Sequence, residues 1–226
     1  MDTKNEWPSP PWNLKEVFIA LLLVFIINNS VGQIIGNLGI AWSKLGYFTL
    51  TIILQTTGIV LVVLYFVLSK NRGSLRLLGL NLERLGKYFV VGIGGGILIF
   101  FAVLVSGLMA ERFFATPGEL QPFAQLVLST KTWPQLIMLV FLGVVLAPFG
   151  EELYFRGFLY PALRSHLGIP LAIFVSASVF GLLHFDLLRF LPLTVGGIGL
   201  AWLYEKTRSL YATIAAHGFW NLIMLL

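Results

Sequence analysis

Two adjacent carboxylates and a guanidinium, from Glu151, Glu152 and Arg156, interrupt a stretch that is otherwise apolar enough for a membrane helix. Ionisable groups at membrane depth cost on the order of 2.5 to 3.5 kcal/mol each, so by default they mark a functional site. On a helix, Glu152 and Arg156 share one face, in the favourable order for an ion pair, and Glu151 points about 100° away. This spacing predicts that Arg156 neutralises Glu152 and leaves Glu151 facing a cavity. A purely structural ion-pair cluster is the alternative.

Two of the three histidines also fall in apolar stretches, at His184 and His217, whereas His166 lies in a basic link. His217 and Asn221 are four residues apart and share one helical face. A lone intramembrane histidine is more often an interhelical hydrogen-bonding group than a catalytic one. Two such helices beside a buried carboxylate instead favour a functional site over packing alone. A carboxylate can activate water, and each polar donor to an oxyanion contributes about 10² to 10³ in rate.

The composition places these groups in a membrane protein. Hydrophobic residues make up 58% of the 226 residues, charged residues only 11%, and the mean hydropathy is +0.89, whereas soluble domains carry about 25% charged residues. Backbone groups in lipid must bond internally and no period-two alternation is visible, so the sequence predicts an all-α transmembrane bundle forming one domain over residues 1–226. Apolar stretches of spanning length predict seven spans, at about 17–41, 46–69, 87–110, 134–163, 168–185, 190–205 and 210–226.

Charge and cysteine content exclude several classes of function. The net charge of +5 comes from basic residues in the links between spans, which fits anionic lipid and orientation better than nucleic acid. Their asymmetry predicts a cytoplasmic amino terminus in a bacterial-type cell membrane. The chain has no cysteine, which excludes disulfides, a thiolate nucleophile and sulfur-ligated metals.

Other conspicuous residues have packing interpretations. Gly92 and Gly96 form a small-residue face that lets helices approach closely, as do Gly197 and Ala201. Such faces serve contacts within or between chains, so the oligomeric state is left open. Proline at positions 148 and 161 is expected to kink or break the fourth span. Four aromatic residues near predicted interfaces are expected to act as belt anchors: Trp12, Trp42, Tyr47 and Trp133.

Three short motifs occur in order within the apolar stretches: Glu-Glu-x-x-x-Arg at 151–156, Phe-x-x-x-His at 180–184 and His-x-x-x-Asn at 217–221. Together they resemble the three motifs of the CAAX prenyl protease and bacteriocin-processing family, also called CPBP or ABI. The resemblance covers about the last 90 residues. It implies an intramembrane endopeptidase of the glutamate type, without a cofactor, acting on a membrane-associated or lipid-anchored peptide substrate. Family members often have eight spans.

The resemblance also implies roles for individual residues. Glu151 would activate water with help from His184, His217 and Asn221 would stabilise the oxyanion, and a supporting pair would be formed by Glu152 and Arg156. A zinc protease with one carboxylate and two histidines as ligands is an alternative, although no His-Glu-x-x-His signature occurs. A non-catalytic scaffold or a proton-coupled transporter is another, although the sequence shows no paired halves.

Overall fold

The computed structural model describes residues 7, 9–37, 43–114 and 122–225, and this part of the chain is helical, without strands. Eight helices follow one another through it. In chain order they are α1 (Leu14–Asn37), α2 (Lys44–Lys70), α3 (Leu85–Phe114), α4 (Pro122–Ser129), α5 (Trp133–Leu167), α6 (Ile169–Leu182), α7 (Leu187–Thr207) and α8 (Leu210–Leu225). A short 3₁₀ turn, Leu75–Leu78, lies in the link between α2 and α3.

The predicted all-α bundle is confirmed, and each of the seven predicted spans corresponds to one helix. Five helices, α1, α2, α3, α5 and α7, are long and apolar enough to cross a membrane. The other two, α6 and α8, have 14 and 16 residues. At 1.5 Å per residue these two helices are about 21 and 24 Å long, shorter than a hydrocarbon layer of about 30 Å. The last residues of the first predicted span, 38–41, lie outside the described residues.

The two prolines neither break nor end the fourth span, because α5 runs from Trp133 to Leu167. Instead, each proline lies two residues beyond a π-helical stretch: Leu142–Leu146 precedes Pro148, and Leu153–Leu159 precedes Pro161. Proline has no N–H to donate to the preceding turn. The helix continues by widening that turn to bonds between residues five apart, and such widened turns occur frequently at functional sites.

Small residues set the closest helix contacts, as predicted. A Cβ atom added at Gly92 would lie 2.5 Å from the carbonyl oxygen of Ala212, and one at Gly96 would lie 2.8 Å from that of Ala216. Gly197 in α7 faces Ala177 of α6 in the same way. Helix α3 therefore packs closely against α8, and α7 against α6, with α3 also contacting α7 and α1 contacting α2.

Trp12, one of the four aromatic residues expected at the membrane interface, is buried in the protein instead. Trp12 is only 2% exposed, and its indole Nε1 donates a hydrogen bond of 2.9 Å to the carbonyl of Phe158 in α5. Trp133 is 77% exposed and Tyr47 is 41% exposed, in agreement with a lipid-facing position, and Trp42 lies outside the described residues. Trp12 thus joins the segment before α1 to the second widened turn of α5.

The glycine packing gives a test with a control on the same helix. We expect Gly92→Ala to lower the free energy of unfolding by about 1 to 3 kcal/mol, because the new methyl group meets backbone atoms. Gly94→Ala meets nothing within 4 Å, so it should leave stability unchanged or raise it by up to about 1 kcal/mol through helix propensity. Thermal unfolding in detergent compares the two. Equal effects at both positions would contradict the close packing of α3 on α8.

Candidate active site

The glutamate and arginine predicted to pair are bonded inside the bundle. The side chains of Glu152 and Arg156 are 0% and 1% exposed, with Oε1 and Nη1 2.8 Å apart. The guanidinium also donates from Nη2 to the carbonyl of Gly197 at 3.2 Å, and its carbon lies 4.8 Å from the ring centre of Phe180. The pair therefore joins α5 to both α6 and α7. The two side chains lie within ion-pairing distance, as their helical spacing predicted.

The side chain of His217 from α8 lies between the two glutamates. Its Nδ1 is 2.9 Å from Glu152 Oε1 and its Nε2 is 3.7 Å from Glu151 Oε2. A carboxylate paired with a guanidinium accepts hydrogen bonds, so the proton of the neutral ring belongs on Nδ1, and Nε2 faces Glu151. The Glu151 side chain is 27% exposed, unlike that of Glu152. The two adjacent carboxylates thus have separate environments, as predicted from their angular separation.

The distance between Glu151 and His217 is suited to a shared water. At 3.7 Å the carboxylate oxygen and the ring nitrogen are too far apart for a direct hydrogen bond. A single water about 2.8 Å from each atom satisfies both of them. Such a water would lie beside the more exposed carboxylate, where a base is needed to remove its proton.

His184 is close to this cluster but not part of it. Its Nδ1 is 2.8 Å from the carbonyl of Phe180, and because a carbonyl only accepts, the proton lies on Nδ1. The Phe180 ring packs edge-on against both histidines, with centroids 4.8 Å from His184 and 5.9 Å from His217. His184 is exposed, and within the described residues it does not lie within ion-pairing distance of Glu151. Its contact with the cluster is through Phe180.

Asn221 bonds a backbone carbonyl that the widened helix leaves without a donor. In the first π-helical stretch of α5, the N–H of Ala147 bonds the carbonyl of Leu142, five residues earlier. The carbonyl of Gly143 would next take the N–H of residue 148, which is a proline. Asn221 Nδ2 donates to that carbonyl instead, at 2.9 Å. An amide has two N–H bonds, so one further donor of Asn221 is left for other partners.

The side chains that the zinc alternative needs as ligands, one glutamate and two histidines, do not lie together around one point. Within the described ranges no three histidine, aspartate or glutamate side chains are arranged to hold one ion. Glu151 Oε2 and His217 Nε2 lie 3.7 Å apart, whereas His184, the remaining ligand of that alternative, does not lie within ion-pairing distance of Glu151.

The part of the chain that contains this site is similar to a known protein family. Residues 133–223 match the family model described as Type II CAAX prenyl endopeptidase Rce1-like. The resemblance to the CAAX prenyl protease family is confirmed for this segment. The matched segment begins with α5 and includes Glu151, Glu152, Arg156, His184, His217 and Asn221. All three sequence motifs therefore lie within the family match. The matched family is one of membrane proteases, and the apolar helices agree with an integral membrane protein.

Individual relatives are distant. "Putative membrane peptidase YdiL" of Bacillus subtilis (strain 168) is 24% identical over 139 residues, which is 62% of this chain and 56% of that protein. CAAX prenyl protease 2 of Homo sapiens is 27% identical over 146 residues, covering 55% of this chain and 44% of the human protein. The chain thus spans about half the length of the curated relatives that it matches. No solved structure matches it.

Several supporting groups were not found from the sequence. The carbonyls of Gly197 and Gly143 take part through the backbone, which no side-chain pattern announces. Phe180 opens one of the three motifs, yet its type suggests only packing. Tyr154 lies between the acidic pair and Arg156, where its hydroxyl donates to the carbonyl of Val17 in α1 at 3.0 Å. The proline at 148 was the one available signal that a carbonyl of α5 would need a donor from elsewhere.

The bond from Asn221 gives a test of its structural role. We expect Asn221→Ala to lower the free energy of unfolding by about 1 to 3 kcal/mol, because the Gly143 carbonyl loses its donor. Adding Pro148→Ala restores a backbone N–H at that position, so the double variant should be more stable than Asn221→Ala alone. Thermal unfolding in detergent measures both.

A matched control for this test is Asn29→Ala, because Asn29 also donates from its amide to a carbonyl but is exposed and bonds within its own helix. It should change stability little. If Pro148→Ala deepens the loss caused by Asn221→Ala, the carbonyl of Gly143 does not depend on this donor.

Proposed function

We propose that this chain is an intramembrane endopeptidase that hydrolyses a peptide bond with a glutamate-activated water. The observation that carries the proposal is the placement of His217 between a buried, neutralised carboxylate and a partly exposed one. Glu152 holds the ring through Nδ1, so Nε2 and the carboxylate of Glu151 face the same position. The family match over residues 133–223 supports a protease.

Each proton in the proposed reaction has a donor and an acceptor. Glu151 accepts a proton from the water as the water oxygen attacks the carbonyl carbon of the substrate. The C–N bond then breaks as Glu151 passes that proton to the leaving amine. His217 Nε2, in the neutral ring, accepts a hydrogen bond from the attacking water. The tetrahedral intermediate carries an oxyanion, for which Asn221 retains one amide donor.

His184 has the least direct support. The family pattern assigns it to help Glu151, but its Nδ1 donates to Phe180, so only its other ring nitrogen is left to approach the water or the leaving group. We propose that it acts when a substrate occupies the space beside Phe180. Glu152 and Arg156 are positioning residues in this scheme, because they act on His217 and on the packing of α5.

The substrate that we propose is a peptide segment of a membrane-associated or lipid-anchored protein. The human relative is named CAAX prenyl protease 2, and a lipid-anchored substrate would bring its peptide to the membrane in which Glu151 and Glu152 lie. We place the protein in a bacterial-type cell membrane, with a cytoplasmic amino terminus on the side of the basic links. Nucleic acid has no part in this proposal.

Replacement of Glu151 by glutamine tests the proposed base. Gln keeps the shape and removes the proton acceptor, so we expect cleavage to fall by about 10² to 10⁴-fold, while thermal stability stays near that of the wild type. The measurement adds purified protein to membranes from cells that lack it and identifies new peptide termini by mass spectrometry. Glu111→Gln, an exposed glutamate in the last turn of α3, is the matched control. Unchanged cleavage by the Glu151→Gln variant would reject the base and favour a scaffold or transporter.

Removal of metal distinguishes the proposed mechanism from the zinc alternative. After exhaustive dialysis against a chelator, we expect the rate of cleavage to be unchanged, because the proposed water is held by Glu151 and His217. The same preparation without chelator is the control, and its metal content is measured by mass spectrometry. Activity that is lost on chelation and returns with one equivalent of zinc would establish the metal mechanism instead.

A further inference from the structure

A buried indole lies against the imidazole that separates the two glutamates. Trp220 is three residues beyond His217 on α8 and only 4% exposed, and residues three apart on a helix are neighbours on one face. The two ring centres are 5.3 Å apart and the ring planes are inclined by 22°, so the rings are stacked. Trp220 occupies an unspecified position of the His-x-x-x-Asn motif and has no part in the reaction proposed above.

Hydrogen bonding alone leaves one rotation of the His217 ring undefined. The contact of 2.9 Å between Nδ1 and Glu152 Oε1 fixes one atom of the ring. The outer torsion of a histidine side chain has broad minima, unlike the staggered torsion before it. The ring is therefore free to tilt about that bond, and each tilt moves Nε2, the atom that faces Glu151. A second constraint is needed to direct Nε2 to one position.

Stacking on the indole supplies that second constraint. An imidazole that lies on the face of another ring loses contact area when it tilts, and stacked rings are a favoured arrangement of aromatic pairs. The Phe180 ring of α6 meets the same imidazole at 82°, with centroids 5.9 Å apart. One ring thus covers the face of His217 and another lies nearly perpendicular to it, so two neighbours define the plane of the imidazole.

Trp220 is itself held in place by a glycine of α7. A Cβ atom added at Gly196 would lie 2.6 Å from Cη2 of the indole and 3.1 Å from a methyl carbon of Val103 in α3. The six-membered ring of Trp220 therefore packs against bare backbone, in a space that exists because residue 196 has no side chain. A larger residue at this position would displace the indole.

We propose that Trp220 is a positioning residue, whose indole fixes the plane of the His217 ring and so directs Nε2 to the water beside Glu151. Gly196 has the supporting part of fixing the indole. The effect on catalysis rests on the proposed function. The orientation of the ring does not, and it is measurable without a substrate.

NMR of the intact protein in detergent, with the ring nitrogens of histidine isotope-labelled, tests the ring constraint. The chain has three histidines, and His217 is the buried one, since His166 and His184 are exposed. We expect one set of His217 signals, with the proton on Nδ1 and the ring protons shifted upfield by the indole. Gly196→Ala should broaden or divide these signals, because a displaced indole lets the ring adopt more than one tilt. Unchanged signals in this variant would overturn the proposal.

Gly199→Ala is the matched control for crowding on α7. A Cβ atom at Gly199 would lie 2.7 Å from Cγ1 of Ile99 in α3, a contact as close as that at Gly196, but away from the indole. This variant should lower the unfolding midpoint as Gly196→Ala does and leave the His217 signals as in the wild type. Equal changes in the His217 signals of both variants would mean a general loosening of the bundle and would overturn the proposal.

Variants of the tryptophan connect the ring orientation to the reaction. Trp220→Leu removes the flat face, whereas Trp220→Phe retains one. On a peptide that contains a cleavage site found with the membrane assay, we expect Trp220→Leu to lower kcat by about 10²-fold with KM near that of the wild type, because a small misplacement of a reacting group slows the chemical step. Trp220→Phe should recover most of the loss. Trp202→Leu makes the same change at a largely exposed site on α7 and should have no effect.

The two measurements separate this inference from the proposed function. Wild-type cleavage by Trp220→Leu, or a loss in Trp220→Phe as large as that in Trp220→Leu, would overturn the positioning role. If the wild type itself does not cleave, the proposed function fails, and the NMR comparison of Gly196→Ala with Gly199→Ala still decides whether the indole constrains His217.

Discussion

The burial of the Arg156–Glu152 pair constrains the rest of the structure. Each charge alone would be expensive in an apolar bundle, and the attraction between them offsets that cost only when further hydrogen bonds are made. Arg156 meets this requirement through the carbonyl of Gly197 and the face of Phe180, and Glu152 meets it through His217. Four helices, α5 to α8, therefore converge on one ion pair. The helix packing and the placement of the histidine are consequences of the same requirement.

The pair is a poor device for stability alone. Glu152 Oε2 and Arg156 Nε are buried without a hydrogen-bond partner in the described part of the chain, and a buried polar group left unbonded costs about 1 to 3 kcal/mol. Apolar side chains of similar volume would fill the space at lower cost. What they would not do is hold an imidazole by one nitrogen and aim the other at a second carboxylate. The buried ion pair therefore has a purpose beyond stability, which is to fix the orientation of the His217 ring.

Helical spacing explains why part of this site could be predicted and part could not. The interval between Glu152 and Arg156 fixes their shared face wherever α5 is helical, and the small-residue faces at Gly92 and Gly96 indicate close packing without naming the partner helix. Asn221 was predictable as a polar group in an apolar helix, and its amide bonds the carbonyl of Gly143. His184 was expected inside a helix as well, but α6 ends at Leu182, and His184 lies in the turn that follows, bonded to the carbonyl of Phe180. Backbone acceptors depend on where a helix widens, which depends on tertiary packing.

The prolines show how a local rule of the sequence becomes a contact between distant helices. A proline removes one N–H, the turn before it widens, and a carbonyl is left for a donor from elsewhere. At the first widened turn Asn221 supplies that donor from α8. The second widened turn is bonded by a separate contact, in which the indole of Trp12 donates to the carbonyl of Phe158 rather than to the carbonyl opposite Pro161. Both turns flank the segment that carries Glu151. The same two sites that interrupt the regular helix therefore fasten it to α8 and to the segment before α1. A carboxylate placed between two such fastenings has little freedom to move along or around its helix, which is the condition under which a single oxygen can be held against one water.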